Sequence, residues 1–162
     1  MTYMESNDLF TPQNPVDTDA LLERAQRYCA TAEHCPADVT QLLQRHGATP
    51  QQVNEVIGIL QAQSYVSEVR YCYAYVHDKV TFLGWGRMKI IAGLHAKHLP
   101  DAAIREAMDT MDELAYADNL QRLIKSKRGT DKQKLLRFLL QRGYTFEDIK
   151  HYADNALDTD YE

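Results

Sequence analysis

Apolar residues recur at intervals of three and four along most of the chain, which is the period of an amphipathic α-helix. The clearest stretch lies in the middle of the sequence, where an apolar stripe covers residues 73–80 and a new helical pattern begins at Arg87. Between them, two glycines bracket the only tryptophan at residues 84–86. This segment therefore predicts a helix, a glycine corner, a second helix and, near Pro100, the start of a third.

The middle segment is repeated on both sides of itself. When Gly47, His98 and Gly143 are aligned, apolar residues fall at four matching offsets in all three segments. The matching sets are Val39, Ile90 and Leu135; Leu43, Leu94 and Leu139; Val53, Ile104 and Ile149; and Ile57, Met108 and Ala153. A repeat of about 50 residues with matching apolar positions is typical of tandem helical units. We therefore predict an all-α array in which the members of the first set occupy equivalent buried sites.

The aligned residues also predict how the second helix of each unit ends. Gly47 and Gly143 can adopt the left-handed conformation that ends many helices without a Cβ penalty. His98 stands at the same place in the middle unit, and it incurs that penalty if its backbone is left-handed. After the stop, Thr49 and Thr145 offer hydroxyl groups to cap a third helix, each with a Gln or Asp three residues later.

These signals divide the chain into three units at residues 17–66, 67–111 and 112–156, between an N-terminal arm at 1–16 and an acidic tail at 157–162. The arm has no helical period, so we expect it to be flexible. The first helix of the third unit is predicted from an apolar stripe formed by Leu114, Tyr116, Leu120, Leu123 and Ile124.

Composition narrows the class of protein. The 162 residues include 7 Gly and 5 Pro, which supply few turns for a sheet protein of this size. No stretch is apolar enough to span a bilayer and the N-terminus lacks a signal pattern, so we expect a cytoplasmic protein without a membrane partner. The three cysteines, Cys29, Cys35 and Cys72, are expected to be reduced thiols.

Charge is distributed in alternating blocks along the chain, although the net charge is only -5. Residues 70–98 and 119–146 are basic, and the segments before, between and after them are acidic. In the second basic block Leu135 and Leu139 mark a buried helix side, so Lys134 and Arg137 should project from the opposite side. Such a basic surface attracts phosphates or an acidic protein groove at long range, although it could also be only a solvated face.

No combination of residues indicates catalysis or metal binding. His95 and His98 could share a face of one helix, but no further ligand lies near them in sequence. The spacing of Cys29, His34 and Cys35 is not that of a chelating loop. There is no glycine-rich phosphate loop and no nucleophile paired with a base. We therefore expect no enzyme activity, no cofactor and no metal.

The aromatic residues leave two interpretations open. Tyr28, Tyr73 and Tyr152 fall on apolar helix stripes, which favours packing in the core over base stacking. Trp85 stands at the glycine corner, where packing between helices and contact with a partner are equally plausible interpretations of the sequence.

Three segments in register resemble the RecX family, the bacterial regulators of the RecA recombinase. They are Ala74–Tyr75–Val76; the run from Gly84 to Ile90 with Leu94 and Lys97; and the run from Lys134 to Leu139 continuing to Arg142–Gly143–Tyr144. The resemblance covers about residues 17–156. Three positions depart from the family pattern: His98 replaces a usual glycine, Gly93 a frequent acidic residue, and Cys35 a common capping serine.

This resemblance implies three tandem three-helix units that form an elongated, curved array. It also implies a monomeric, non-enzymatic regulator, mainly an inhibitor, that lies in the groove of the RecA–DNA filament and restrains ATP hydrolysis and strand exchange. DNA is a candidate second partner through the basic third unit. Taken with the charge pattern, the resemblance places partner contacts at Arg87, Lys89, Lys97, Lys125, Arg128, Lys134, Arg137 and Arg142.

The alternative is a helical-repeat DNA-binding protein that acts without RecA, with the second and third helices of each unit forming a helix-turn-helix. In that case the third helices would present base-reading side chains at their N-termini. Pro50, Asp101 and Phe146 occupy those positions instead, which argues against sequence-specific reading.

Overall fold

The computed structural model of the chain describes residues 16–157, with side chains up to Tyr152. This part consists of nine α-helices and contains no strand, which confirms the all-α prediction. In chain order the helices are α1 (Thr18–Thr31), α2 (Pro36–Arg45), α3 (Pro50–Ala62), α4 (Glu68–Thr81), α5 (Arg87–Ala96), α6 (Asp101–Asp109), α7 (Glu113–Ser126), α8 (Lys132–Gln141) and α9 (Phe146–Leu157). Apart from Val16 and Leu157, the predicted arm and tail lie outside the described residues.

The helices follow one another as three tandem groups of three. Helices α1, α2 and α3 pack on one another, α4 packs on both α5 and α6, and α7 packs on α9. Helix α4 also contacts α7, which joins the second group to the third. Each predicted unit therefore contains three helices, while the unit boundaries themselves stay a prediction.

Two hydrophobic cores hold these groups together. The first belongs to α1–α3 and the segment after α3, and it buries Leu21, Ala25, Val39, Leu43, Val53, Val56, Leu60 and Val66. The second is continuous through α4–α9, and its fully buried members include Ile90, Leu94, Tyr116, Leu120, Leu139 and Tyr144. Cys35 and the nearby Ala37 reach from the first group into this second core. The second and third groups thus share one interior.

The repeat register is confirmed at one set of positions and corrected at others. Leu43, Leu94 and Leu139 are all at most 1% exposed, as equivalent core sites should be. Val39 and Ile90 are fully buried, but their counterpart Leu135 is only partly buried, so the predicted equivalence is wrong there. The cause is that residues 125–134 are all exposed, which leaves the first turn of α8 at the edge of the core.

The apolar stripe predicted for α7 is also wrong at one residue, Leu114, which is 85% exposed. Tyr116 and Leu120 are fully buried. Because each residue turns an α-helix by about 100°, Leu114 and Tyr116 project from nearly opposite sides. The face that holds Tyr116 is the one that packs.

The predicted helix ends are confirmed. Gly47 and Gly143 have φ of +80° and +98°, and His98 is left-handed as well, with φ of +59°. The hydroxyl of Thr49 accepts a hydrogen bond from the backbone N–H of Gln52, and the side chain of Gln52 accepts one from the N–H of Thr49. These local signals position the three third helices, because they decide where each second helix stops.

None of the helices within residues 16–157 is long and apolar enough to cross a membrane.

The cysteines Cys29, Cys35 and Cys72 are free thiols, and burial raises the pKa of each.

Candidate functional site

Six basic side chains cover the end of α7, the following loop and α8. We call this set the basic face, and all of its members are exposed: Lys125, Lys127, Arg128, Lys132, Lys134 and Arg137. The exposure predicted for Lys125, Arg128, Lys134 and Arg137 is thus confirmed. Their contact with a partner stays a prediction.

The local sequence explains why these side chains point outward. Ile124 in α7 and Leu139 in α8 are buried, so the remaining sides of both helices turn to solvent. Gly129, at φ of +82°, makes the turn between the helices, and no atom lies within 4 Å of the position a Cβ would take there. The loop is therefore free of packing contacts at this point and presents its lysines and arginines to solvent.

Carboxylates of the described residues do not neutralise the positive charge of the basic face. Its one acidic neighbour in sequence, Asp131, caps α8 by accepting a hydrogen bond from the backbone N–H of Lys134 at 3.4 Å. Lys127 places its ammonium group 4.7 Å from the centre of the Phe138 ring. Among the described residues, no ion pair within 4 Å links a member of the basic face to a carboxylate. The field of this surface is therefore available to an anionic partner.

Arg87 was predicted to contact a partner, but it lies at the junction of α5 with α9. Its Nε is 3.0 and 3.1 Å from the two carboxylate oxygens of Asp148, and its Nη2 is 2.8 Å from Oδ1. The guanidinium also stacks 4.8 Å over the ring of Tyr116. The Tyr116 hydroxyl donates to Asp148 at 2.7 Å and accepts from the backbone N–H of Arg87 at 3.0 Å. Arg87 thus joins the second group of helices to the third.

The electrostatics of this junction follow from its burial. Asp148 is 5% exposed, which alone would raise its pKa, but hydrogen bonds from Arg87, Thr145 and Tyr116 outweigh burial and lower that pKa. Burial likewise opposes the charge of Arg87, yet its hydrogen bonds to Asp148 raise its pKa. Burial also raises the pKa of Tyr116, with a further contribution from Asp148. Both members of the pair are therefore charged at neutral pH.

Arg142, another predicted contact residue, also serves this junction. Its guanidinium donates to the carbonyl oxygen of Leu83, and its own carbonyl accepts from the N–H of Gly86 at 2.7 Å. The next carbonyl, that of Gly143, accepts from the N–H of Met88 at 2.9 Å. The start of α5 is thereby hydrogen-bonded to the turn between α8 and α9.

Lys97 takes part in the contact between the first and second groups. Its ammonium group binds the carboxylate of Asp38, which raises the pKa of Lys97. Burial would raise the pKa of Asp38, but the bond from Lys97 outweighs it and lowers that pKa. A second bridge, between Arg70 and Glu33, joins the same two groups.

Lys89, the last predicted contact residue, lies against Trp85, with its ammonium nitrogen 4.3 Å from the indole centre. Lys79 approaches the same ring at 4.7 Å, and sequence reasoning missed it as a site residue. One signal could have found it, because Lys79 follows Tyr75 by one helical turn and so shares its face of α4. The eight predicted residues therefore separate into four on the basic face, three at junctions and one beside Trp85.

The fold defines a class: an all-α protein of tandem three-helix units, with a basic surface and two tightly bonded junctions between units. Comparison with known proteins shows similarity to one family. The family described as "RecX, second three-helix domain" matches residues 67–108. The chain is similar to regulatory protein RecX of Leptothrix cholodnii, at 29% identity over 149 residues that cover 87% of this chain and 94% of that protein. It is also similar to regulatory protein RecX of Halorhodospira halophila, at 28% identity over 153 residues, covering 88% and 92%.

Solved structures agree with the fold. A crystal structure of regulatory protein RecX superposes with a TM-score of 0.77 at 16% identity, covering 85% of this chain and 73% of that one. RecX from Lactobacillus salivarius superposes with a TM-score of 0.75 at 15% identity, covering 85% and 95%. The chain is therefore similar to RecX regulatory proteins in sequence over most of its length and shares their fold.

Proposed function

We propose that this protein is a non-enzymatic regulator of the RecA recombinase that binds in the groove of the RecA–DNA filament. There it restrains ATP hydrolysis and strand exchange. The observation that carries this proposal is the basic face: six exposed cations without ion-pair partners among the described residues, in a chain similar to RecX regulatory proteins. We also propose that the protein acts in the cytoplasm as a monomer.

The hydrogen-bonded junctions between helix groups support the proposal because they make this protein a rigid ligand for the filament groove. The second and third groups share one core, and the buried pair of Arg87 and Asp148 ties them together. A protein that follows a helical groove must keep its contact points at set distances from one another, since every freedom given up on binding reduces affinity. Tandem units joined in this way provide such spacing without an enclosed catalytic site.

The charges support an anionic partner surface. Exposed side chains that lack internal partners can bind phosphates or carboxylates without first breaking an ion pair. Long-range attraction also accelerates encounter with a charged groove. We propose Lys125, Arg128, Lys134 and Arg137 as contact residues. We assign Arg87, Lys97 and Arg142 to holding the units together, because their charged groups are already bound within the chain.

The test is RecA-dependent ATP hydrolysis on single-stranded DNA with this protein titrated in. We expect a dose-dependent fall for the parent. The variant with Lys125, Arg128, Lys134 and Arg137 each changed to Glu should require at least a tenfold higher dose, on the order expected when several attractive contacts become repulsive. Its thermal melt should stay close to the parent's, because exposed substitutions usually change stability by less than about 0.5 kcal/mol each.

A matched control reverses four exposed basic residues outside the basic face, namely Arg24, Arg27, Arg105 and Lys150. This control changes the net charge equally, so it should inhibit nearly as well as the parent if position matters. Equal inhibition by the basic-face variant and the parent would exclude this face from the mechanism. Tight binding to DNA alone, with no effect on RecA, would instead favour the RecA-independent DNA-binding protein.

A further inference from the structure

Two ammonium groups converge on one indole ring in the second group of helices. The Nζ atoms of Lys79 and Lys89 lie 4.7 and 4.3 Å from the centre of the Trp85 ring. Lys79 also lies 4.8 Å from the centre of the Tyr75 ring. We call these four residues the Trp85 cluster. None of them belongs to the basic face, so the two surfaces can be tested separately.

The cluster is built by the corner between α4 and α5. Tyr75 and Lys79 are one turn apart on α4, and the backbone N–H of Trp85 donates to the carbonyl oxygen of Lys79 at 3.0 Å. That bond folds the corner back over the end of α4, so that Trp85 meets Tyr75 edge-on, with ring centres 6.4 Å apart. Lys89 then reaches the indole from the first turn of α5. The four side chains are thus held together by the backbone.

Close packing fixes the position of Tyr75 further. A Cβ added at Gly93 in α5 would lie 2.1 Å from the Tyr75 hydroxyl oxygen, so the helix passes directly against this ring. Any larger residue at Gly93 would force the ring to move. The position of the Tyr75 ring is therefore fixed before any ligand binds, which lowers the conformational entropy that the cluster loses on binding.

The positive charge of the cluster has no acidic partner among the residues that the structure describes, since no carboxylate there lies within 4 Å of Lys79 or Lys89. Two like charges beside one ring repel each other, and the negative face of the indole offsets this only in part. A bound anion would offset this positive charge.

Three amides at the start of α5 are already hydrogen-bonded within the chain. The N–H groups of Gly86, Arg87 and Met88 donate to Arg142, Tyr116 and Gly143. These three amides are therefore not available to an anion at this corner, whereas the two lysine ammonium groups are.

We propose that the Trp85 cluster is a binding site for single-stranded nucleic acid. Lys79 and Lys89 hold the phosphodiester backbone, and the partly exposed indole of Trp85 stacks with an adjacent base. Aromatic rings interleaved with amines favour nucleic acid over an acidic protein segment, because every base offers a face for stacking whereas carboxylates do not. A single strand is favoured over a duplex, whose bases are already stacked on each other.

Trp85 is the only tryptophan in the chain, so its fluorescence reports this site alone. The full-length protein is titrated with a thymidine oligonucleotide at low salt, without RecA, and we expect saturable quenching. The Lys79→Gln/Lys89→Gln variant should bind at least tenfold more weakly. The salt dependence of its binding should become shallower, by about 0.7 in the log–log slope for each phosphate that a lysine no longer neutralises. The matched control, Arg105→Gln/Lys150→Gln, removes two exposed cations elsewhere and should bind like the parent.

Stacking is tested by changing the ring itself and following a fluorescein-labelled oligonucleotide by anisotropy. Trp85→Leu should weaken binding on the order of tenfold, whereas Trp85→Phe, which keeps a ring, should weaken it much less. Circular dichroism melts establish whether each variant is folded. If Trp85→Leu is not folded, the Lys79→Gln/Lys89→Gln variant tests the proposed site instead.

Several results would overturn the proposal. One is DNA binding that leaves Trp85 fluorescence unchanged, and another is undiminished quenching in the lysine variant. Duplex DNA or polyglutamate quenching as strongly as the single strand would also contradict it, the latter by pointing to an acidic protein partner. Because the assay contains no RecA, its failure would leave the proposed filament binding untouched, and failed ATPase inhibition would leave this site untouched.

Discussion

The backbones of Gly86 and Gly143 meet so closely that a Cβ built on Gly86 would lie 2.1 Å from the carbonyl carbon of Gly143. A Cβ on Gly143 would in turn lie 2.5 Å from the Cβ of Lys89. The contact brings the start of α5 against the turn that precedes α9, and hydrogen bonds on both sides hold it there. Two segments that are far apart in sequence are thus joined through main chain, which only glycine permits at this distance.

Gly86→Ala should therefore destabilise the protein by at least about 2 kcal/mol, because its methyl group would displace backbone that cannot yield like a side chain. Urea unfolding measures the free energy. Gly58→Ala is the matched control: no atom lies within 4 Å of the added Cβ, and the site is inside α3. That change should stabilise by up to about 1 kcal/mol, the difference in helix propensity. A Gly86→Ala protein as stable as the parent would contradict the observed contact.

Asp148→Asn should cost about 3 kcal/mol at neutral pH, since it removes the closer of the two carboxylates beside Arg87 at a largely buried junction and leaves only Glu113, at 3.9 Å. The same pair predicts a pH dependence. The pKa of Asp148 is lower in the folded than in the unfolded chain, so its stabilisation is complete above about pH 4 and is lost as pH falls through the folded value.

Thermal melts between pH 7 and pH 2 measure this dependence. The parent should lose more stability on acidification than Asp148→Asn does. Asp38→Asn is a useful comparison, because Asp38 has a lowered pKa through Lys97 at the other junction. Identical acid profiles for Asp148→Asn and the parent would show that this carboxylate is not responsible.

Ile90→Ala should cost about 2 to 5 kcal/mol, as expected for a fully buried aliphatic side chain that leaves a cavity. Leu135→Ala should cost less, about 1 to 2 kcal/mol, since Leu135 keeps part of its surface in water. Chemical denaturation of the two variants gives the comparison. Equal losses would mean that the interior covers α8 as fully as it covers α5.

His98→Gly should leave stability unchanged or raise it by about 1 kcal/mol, because it relieves a Cβ from the left-handed conformation. His98→Ala keeps that Cβ and removes the imidazole, so it separates backbone strain from side-chain contacts. Ser64, at φ of +63°, offers a second site for the same comparison. A clear loss in both His98 variants would show that the imidazole makes a stabilising contact.

The sequence by itself determined the features that depend on neighbours within about four residues. Helix spacing, the caps at Thr49 and Thr145, and the left-handed stops at Gly47 and His98 all act over that range, so their pattern is readable in one dimension. The outward direction of Lys134 and Arg137 followed from the same period. The RecX resemblance rests on these local signals as well.

Tertiary structure alone decided which charges are free and which are bound within the chain. Arg87 and Asp148 are 61 residues apart and Lys97 and Asp38 are 59 apart, so no local spacing in the sequence predicts either pair. Their meeting depends on how whole helices pack, and the partial exposure of Leu135 depends on the same packing. The hydrogen bond from Trp85 to Lys79 spans only six residues. The convergence of two lysines on the indole nevertheless depends on how the chain turns between α4 and α5. Charge pattern therefore found the basic face, while the junctions and the Trp85 cluster could be recognised only in the folded chain.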